Sequence, residues 1–113
     1  MEPVVEAAAE SWDGALLPAY PAGAPRVSIL RGILPPHTRL PMHRHPVINA
    51  GVVLRGSLTV VTADGAERTF GPGEGIVETI GTAHYGENRG DEPVELVMFY
   101  AGAGNLPLSE PEK

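Results

Sequence analysis

His43-Arg44-His45-Pro46-Val47-Ile48-Asn49-Ala50-Gly51-Val52-Val53-Leu54-Arg55-Gly56-Ser57 is the stretch on which the reading of this chain turns. Val47 to Leu54 is rich in β-branched residues, which suit a pleated strand. Arg55-Gly56-Ser57 reads as a tight turn into a second strand, Leu58 to Thr62. In an extended chain a spacing of two puts the His43 and His45 rings on one face. A third histidine, His84, stands in a later segment. Neutral imidazole is the commonest side-chain ligand for a transition metal. Two neighbouring rings and a third from another strand cap such an ion on one side. Open positions on the other side favour chemistry over structural stapling.

Outward from that stretch the pattern stays β. Val27 to Leu34, Glu67 to Phe70, Gly75 to Thr79, Ala83 to Glu87 and Val94 to Tyr100 read as strands. Ala63-Asp64-Gly65-Ala66 is a hairpin signal, because Asp-Gly supplies the positive φ values that such turns need. Fourteen glycines and 12 prolines in 113 residues argue against long helices. About eight short strands at regular spacing predict an antiparallel sandwich or barrel in one domain. Val52, Val53, Leu54, Leu58, Val60, Val97 and Phe99 are its expected core.

The ends read differently. Residues 1–25 form an N-terminal arm, with a short helix over Val4 to Ser11 and Trp12, Leu16, Leu17 and Tyr20 as anchors on the barrel or a partner subunit. Residues 26–104 are the barrel, and 105–113 are expected to be a loose tail.

Composition excludes several function classes. The net charge is −6 and the arginines are scattered singly, so no basic surface is available for a nucleic acid backbone or an anionic membrane. No apolar run approaches the roughly 20 residues of a spanning helix. Cysteine is absent, which removes disulfides and thiolate ligands. The start, Met1-Glu2-Pro3-Val4-Val5-Glu6, lacks the pattern of a secretory signal, so a cytoplasmic protein is expected. Aromatics make up only 5% of the chain, which predicts a pocket lined by aliphatic side chains and sized for a small molecule.

The histidine segments carry a family pattern. His43-Arg44-His45 is followed after three residues by Asn49 and after six more by Gly56; Gly73, Gly81, His84 and Asn88 stand at matching spacings in a second segment. Over residues 37–88 the chain resembles the cupins, small double-stranded β-helix barrels of the jelly-roll type. The resemblance implies that His43, His45 and His84 hold a divalent transition metal. Iron is the first expectation, with manganese, nickel or zinc as alternatives. It also implies a homodimer.

Three positions depart from the family pattern. Thr79 stands where the family has proline, and the leading glycine is missing. Asn49 stands where the family has a ligand glutamate. A neutral Asn49, bound weakly through its amide oxygen or hydrogen-bonded to a ligand, leaves the centre about two positive charges. Glu78 is the candidate catalytic residue: it faces the barrel as fourth ligand or general base, or it is a solvent-facing strand-end glutamate. His37 is expected at the rim or surface, Tyr85 and Arg44 outward, and Asn88 bonded to turn backbone.

Three functions follow. The first is an oxygen-dependent, dioxygenase-like oxidoreductase acting on a small oxygen-bearing molecule. The second is a metal-dependent isomerase or lyase. The third is a binding module without turnover.

Overall fold

In the computed structural model, which describes residues 1–112, the chain forms ten strands and, among the described residues, no helix. They are β1 (Pro25–Leu34), β2 (Thr38–Arg39), β3 (His43–Arg44), β4 (Ile48–Arg55), β5 (Leu58–Thr62), β6 (Glu67–Phe70), β7 (Gly75–Val77), β8 (His84–Asn88), β9 (Val94–Ala103) and β10 (Glu110–Pro111). One sheet has the order β1-β9-β4-β7. The other runs β10-β3-β8-β5-β6, with β2 also on β8. Every pairing is antiparallel, so the fold is all-β. Among the described residues no helix is long and apolar enough to cross a membrane.

The core lies between the sheets, where Leu34, Val53, Leu58, Val60, Phe70, Ile76 and Val94 pack together. A second cluster of Val47, Met98 and Tyr100 borders the site described below. Strand alternation sorts the expected core into two sets. On β4 the inward side chains are Asn49 and Val53, so Leu54 is exposed; Phe99 on β9 is likewise exposed. Val52 and Val97 are half-buried. Both faces of this sheet carry apolar residues, and composition alone does not say which face turns inward.

The arm contains no helix over Val4 to Ser11. Eight residues that include adjacent β-branched Val4 and Val5 gain too few turns to offset helix nucleation. Instead Ser11 closes a turn onto Asp13, and Glu10 bridges to Leu16. The Trp12 amide donates to the Val77 carbonyl at 2.9 Å, capping the β7 edge. Its ring meets Phe70 edge-on at 6.0 Å. The arm thus packs on its own barrel, while Leu16 and Tyr20 stay exposed.

Residues 105–112 are tied down rather than loose. β10 pairs with β3, placing Glu110 opposite Arg44 and Pro111 opposite His43. The signal is non-local, since the partner strand lies some sixty residues earlier, and a two-residue strand containing proline carries little propensity of its own.

Asn88 holds the corner after β8. Its amide nitrogen lies 2.8 Å from the Glu92 carbonyl and 3.1 Å from those of Leu34 and Pro35. Gly51 is the tightest point between β4 and β9. A Cβ there would stand 2.0 Å from the Val97 carbonyl oxygen and 2.5 Å from the Met98 sulfur. Backbone on a central strand cannot give way cheaply. Gly51→Ala is expected to cost at least about 2–3 kcal/mol of unfolding free energy. Urea denaturation checks this, and a cost below about 1 kcal/mol would contradict the packing described.

Candidate metal centre

Local strand geometry delivers the three histidines to one place. His43 opens β3 and is the direct partner of His84, which opens β8; His45 follows two residues on, on the same face as His43. The ring centroids lie 4.6 Å (His43–His84), 4.8 Å (His43–His45) and 4.9 Å (His45–His84) apart. One ring nitrogen from each lies within 4.8 Å of the others. Ligands about 2.1 Å from a transition metal stand roughly 3–4 Å apart, so modest ring rotation brings the three onto one ion.

Hydrogen bonding aims the rings. Nδ1 of His43 lies 2.9 Å from the Pro41 carbonyl, Nδ1 of His84 lies 2.9 Å from that of Thr82, and Nδ1 of His45 lies 2.9 Å from that of Leu108. A carbonyl only accepts, so each Nδ1 carries the proton. In neutral rings each Nε2 then presents a lone pair. A backbone carbonyl on the far nitrogen is the usual support of a metal-ligating histidine.

Glu78 stands beside this group, against His84. It is buried, and its Oε2 approaches His84 Nε2 to 2.8 Å. That approach lacks hydrogen-bond alignment, and both atoms are buried without another partner. A carboxylate facing an imidazole lone pair is repulsive unless a proton or a cation stands between them. The donor set therefore fits a divalent transition metal: three imidazole nitrogens, with a carboxylate beside them.

Protonation follows these surroundings. Burial pulls His84 down, but the Glu78 carboxylate against Nε2, joined by the Thr82 carbonyl and the charge of Asp13, outweighs it, so the ring titrates above its ordinary 6.5. Burial dominates at His45, which titrates below 6.5. Tyr100 is raised by burial and then by the negative charge of Glu78.

Asn49 is fully buried. Its Nδ2 donates to the Val47 carbonyl at 3.1 Å, and its Oδ1 has no partner. It does not line the cavity. It sits between Tyr100, its register partner on β9, and Glu78, whose amide donates to the Asn49 carbonyl at 3.0 Å. A carboxylate thus stands one strand away from the position that lacks one.

The cavity over the histidines has a volume of about 250 Å³. Leu30, Leu34, Leu40, Leu58, Leu96 and Met98 form most of its wall, and Glu78 and Tyr100 join the histidines at its polar end. Arg31, on the rim, is paired with Glu95. A second cleft, bounded by Met42, Ser109 and Pro111, also reaches His43, His45 and Tyr100. Tyr100 and Leu108 were not legible as site residues. Tyr100 could have been found by parity, since it lies opposite Asn49; Leu108 carries no local signal.

The remaining residues lie away from the rings. Tyr85 stacks under Arg39 at 4.5 Å, and His37 is exposed and 2.9 Å from Asp91. Arg44 points outward to the Gly81 carbonyl and Glu112.

A search of curated proteins finds no match. Solved structures are similar in fold. A Cupin 2 conserved barrel domain protein from Salinispora arenicola CNS-205 is 24% identical with a TM-score of 0.62, over 78% of this chain and 72% of that one. An oxalate oxidase in complex with the substrate analogue glycolate is 26% identical, TM-score 0.60, over 67% of this chain and 42% of that one. A DMSP lyase from Ruegeria pomeroyi DSS-3 is 20% identical, TM-score 0.65, over 77% and 45%. The chain spans less than half the length of the oxalate oxidase and the lyase. A family profile described as Cupin domain matches residues 30–100, well over half of the sequence. The chain belongs to the cupin family.

Proposed function

We propose that this cupin is a cytoplasmic, metal-dependent enzyme acting on a small, apolar-bodied molecule that chelates through oxygen. Oxygen-dependent oxidation with iron is the first reading. The observation that carries it is the set of three inward Nε2 lone pairs beneath an aliphatic cavity. A bound divalent metal would supply Lewis acidity and, if iron, access to dioxygen.

The chain's own groups do the rest. Leu30, Leu34, Leu58 and Leu96 exclude water and take up the carbon skeleton of the ligand. Glu78, buried at the polar end, accepts the proton that a chelating enol must lose. Among the described residues no unpaired cation lines the cavity, because Arg31 is engaged by Glu95. That lining suits a neutral or singly charged ligand better than a dicarboxylate or a sugar phosphate, although an oxalate oxidase and a sugar phosphate isomerase share the fold.

The isomerase or lyase reading keeps the same residues and needs no oxygen; the lyase neighbours favour it. Oxygen uptake with iron and not with zinc, across a panel of small enolisable ketones, is expected under the first reading. Equal turnover under argon would remove it. Glu78→Gln is expected to lower turnover about 100-fold while metal content stays unchanged. Unchanged turnover in that variant would remove Glu78 as the base, and ligand binding without turnover in the native protein would favour the binding module.

The histidine titrations give an independent check. In metal-free protein, ring NMR should show His45 titrating below 6.5 and His84 above it. The signs for folding stability are opposite. The His84 contribution is full below 6.5 and lost as pH rises through its folded value; the His45 contribution is full above 6.5 and lost on acidification. Glu78→Gln removes the largest raising influence and leaves burial opposed only by the Thr82 carbonyl and Asp13, so His84 should titrate lower than in the native protein. A His84 titration unmoved in that variant would disprove the assigned cause.

We also read the outer face of the β1-β9-β4 sheet as the contact for a second copy. Val27, Ile29 and Ile33 on β1 are 70%, 69% and 56% exposed, and Phe99, the register partner of Ile29, is 43% exposed. A ten-residue edge strand with this much apolar surface is a liability when left bare. Light scattering should give twice the chain mass for the native protein and the single mass for Ile29→Asp. A monomeric native protein would rule the contact out.

A further inference from the structure

We propose that residues 105–112 form a strap that holds His45 as a ligand, so that the metal centre is complete only when the strap is docked. The inference rests on the three-histidine reading above and concerns how one of the rings is presented.

The three supporting carbonyls are not equivalent. Pro41 and Thr82 lie two residues before the rings they hold, so the approach to each strand supplies them. Leu108 is 63 residues from His45. It reaches the ring only because the chain turns after β9 and runs back along β3. Gly104, at φ +54, and the Leu106 amide bond to the Ala103 carbonyl make that turn.

The strap is attached to the ligand strand itself. β10 pairs with β3, the Glu112 amide donates to the Met42 carbonyl at 3.1 Å, and the Glu112 carboxylate pairs with Arg44 at 2.8 Å. The Leu108 side chain packs on the cluster of Val47, Met98 and Tyr100. Two ladder residues and one half-exposed ion pair are weak attachments. The third carbonyl support is therefore the least firmly held of the three.

Undocking has a chemical consequence. Without an acceptor on Nδ1, the neutral His45 ring is free to carry its proton on Nε2 instead. The ring then presents N–H to the centre, and a cation binds only after that proton moves back to Nδ1, which weakens the site. Undocking also removes Ser109 and Pro111, which wall the second cleft over His43 and His45.

The test uses the full chain with two variants. Leu108→Asp places a charge in the apolar seat, and Glu112→Arg repels Arg44 from the surface without touching the core. In metal-free protein, long-range ¹⁵N–¹H spectra should show the Nδ1–H form at all three rings of the native chain. Both variants should lose it at His45 and keep it at His43 and His84. Challenge of Co²⁺-loaded protein with a chelator should release the ion about tenfold faster from both variants, in line with lost support of a ligand ring. A His45 that stays Nδ1–H in Glu112→Arg, with native Co²⁺ release, overturns the proposal. Failure of the native chain to take up Co²⁺ would refute the metal centre instead, and the ring spectra would still decide the strap.

Discussion

Three Nδ1–H to carbonyl bonds are the constraint on which the rest depends. Each spends the proton of one imidazole on the backbone and leaves a lone pair directed at the other two rings. Converging lone pairs are unfavourable in a dry interior, and the buried Glu78 carboxylate adds a fourth electron-rich group to the same volume. The fold accepts this because the surrounding β-sandwich is stabilised elsewhere, in the cluster around Val53, Val60, Phe70 and Val94. Unrelieved polar strain of this kind concentrates at functional sites.

Sheet topology brings the pieces together at small cost. β3 and β8 are neighbours in one sheet, and their register sets His43 directly against His84. Across the barrel, β4 lies between β7 and β9 in the other sheet, which lines up Glu78, Asn49 and Tyr100 on its inner face. The polar end of the cavity is thus built from one row of each sheet, and the aliphatic wall from rows farther along the same strands. Gly51, in the next inward position after Asn49, has no room for a side chain between these strands.

What was legible in the sequence was local. His43 and His45 at a spacing of two, the Asp64-Gly65 hairpin and the Arg55-Gly56 turn each depend on adjacent residues, and all appear in the structure. Facing was not legible. Leu54 and Phe99 look like core residues in a list of apolar side chains, but alternation places them outside. Nor was the return of the chain end to β3, because its cause is a pairing partner far away in sequence. The arm failed as a helix for a related reason. Its conformation follows from the Val77 carbonyl and the Phe70 ring rather than from its own propensity.

The charge arithmetic at the centre changes once Glu78 is located. Read from Asn49 alone, three neutral rings leave a divalent ion about two unbalanced charges. Glu78, one strand over, returns one unit of negative charge beside His84 without requiring a ligand bond. A carboxylate that is near the ion and free of the coordination sphere can take up a proton, which a bound glutamate does poorly. With a divalent ion bound, it would also lower the attraction for a doubly charged anion while leaving enough for a singly charged one. With Arg31 already paired to Glu95, no second cation among the described residues lines the cavity to reverse that preference. On the function proposed above, a preference for small, apolar-bodied monoanions would follow from moving one carboxylate across a single strand pairing.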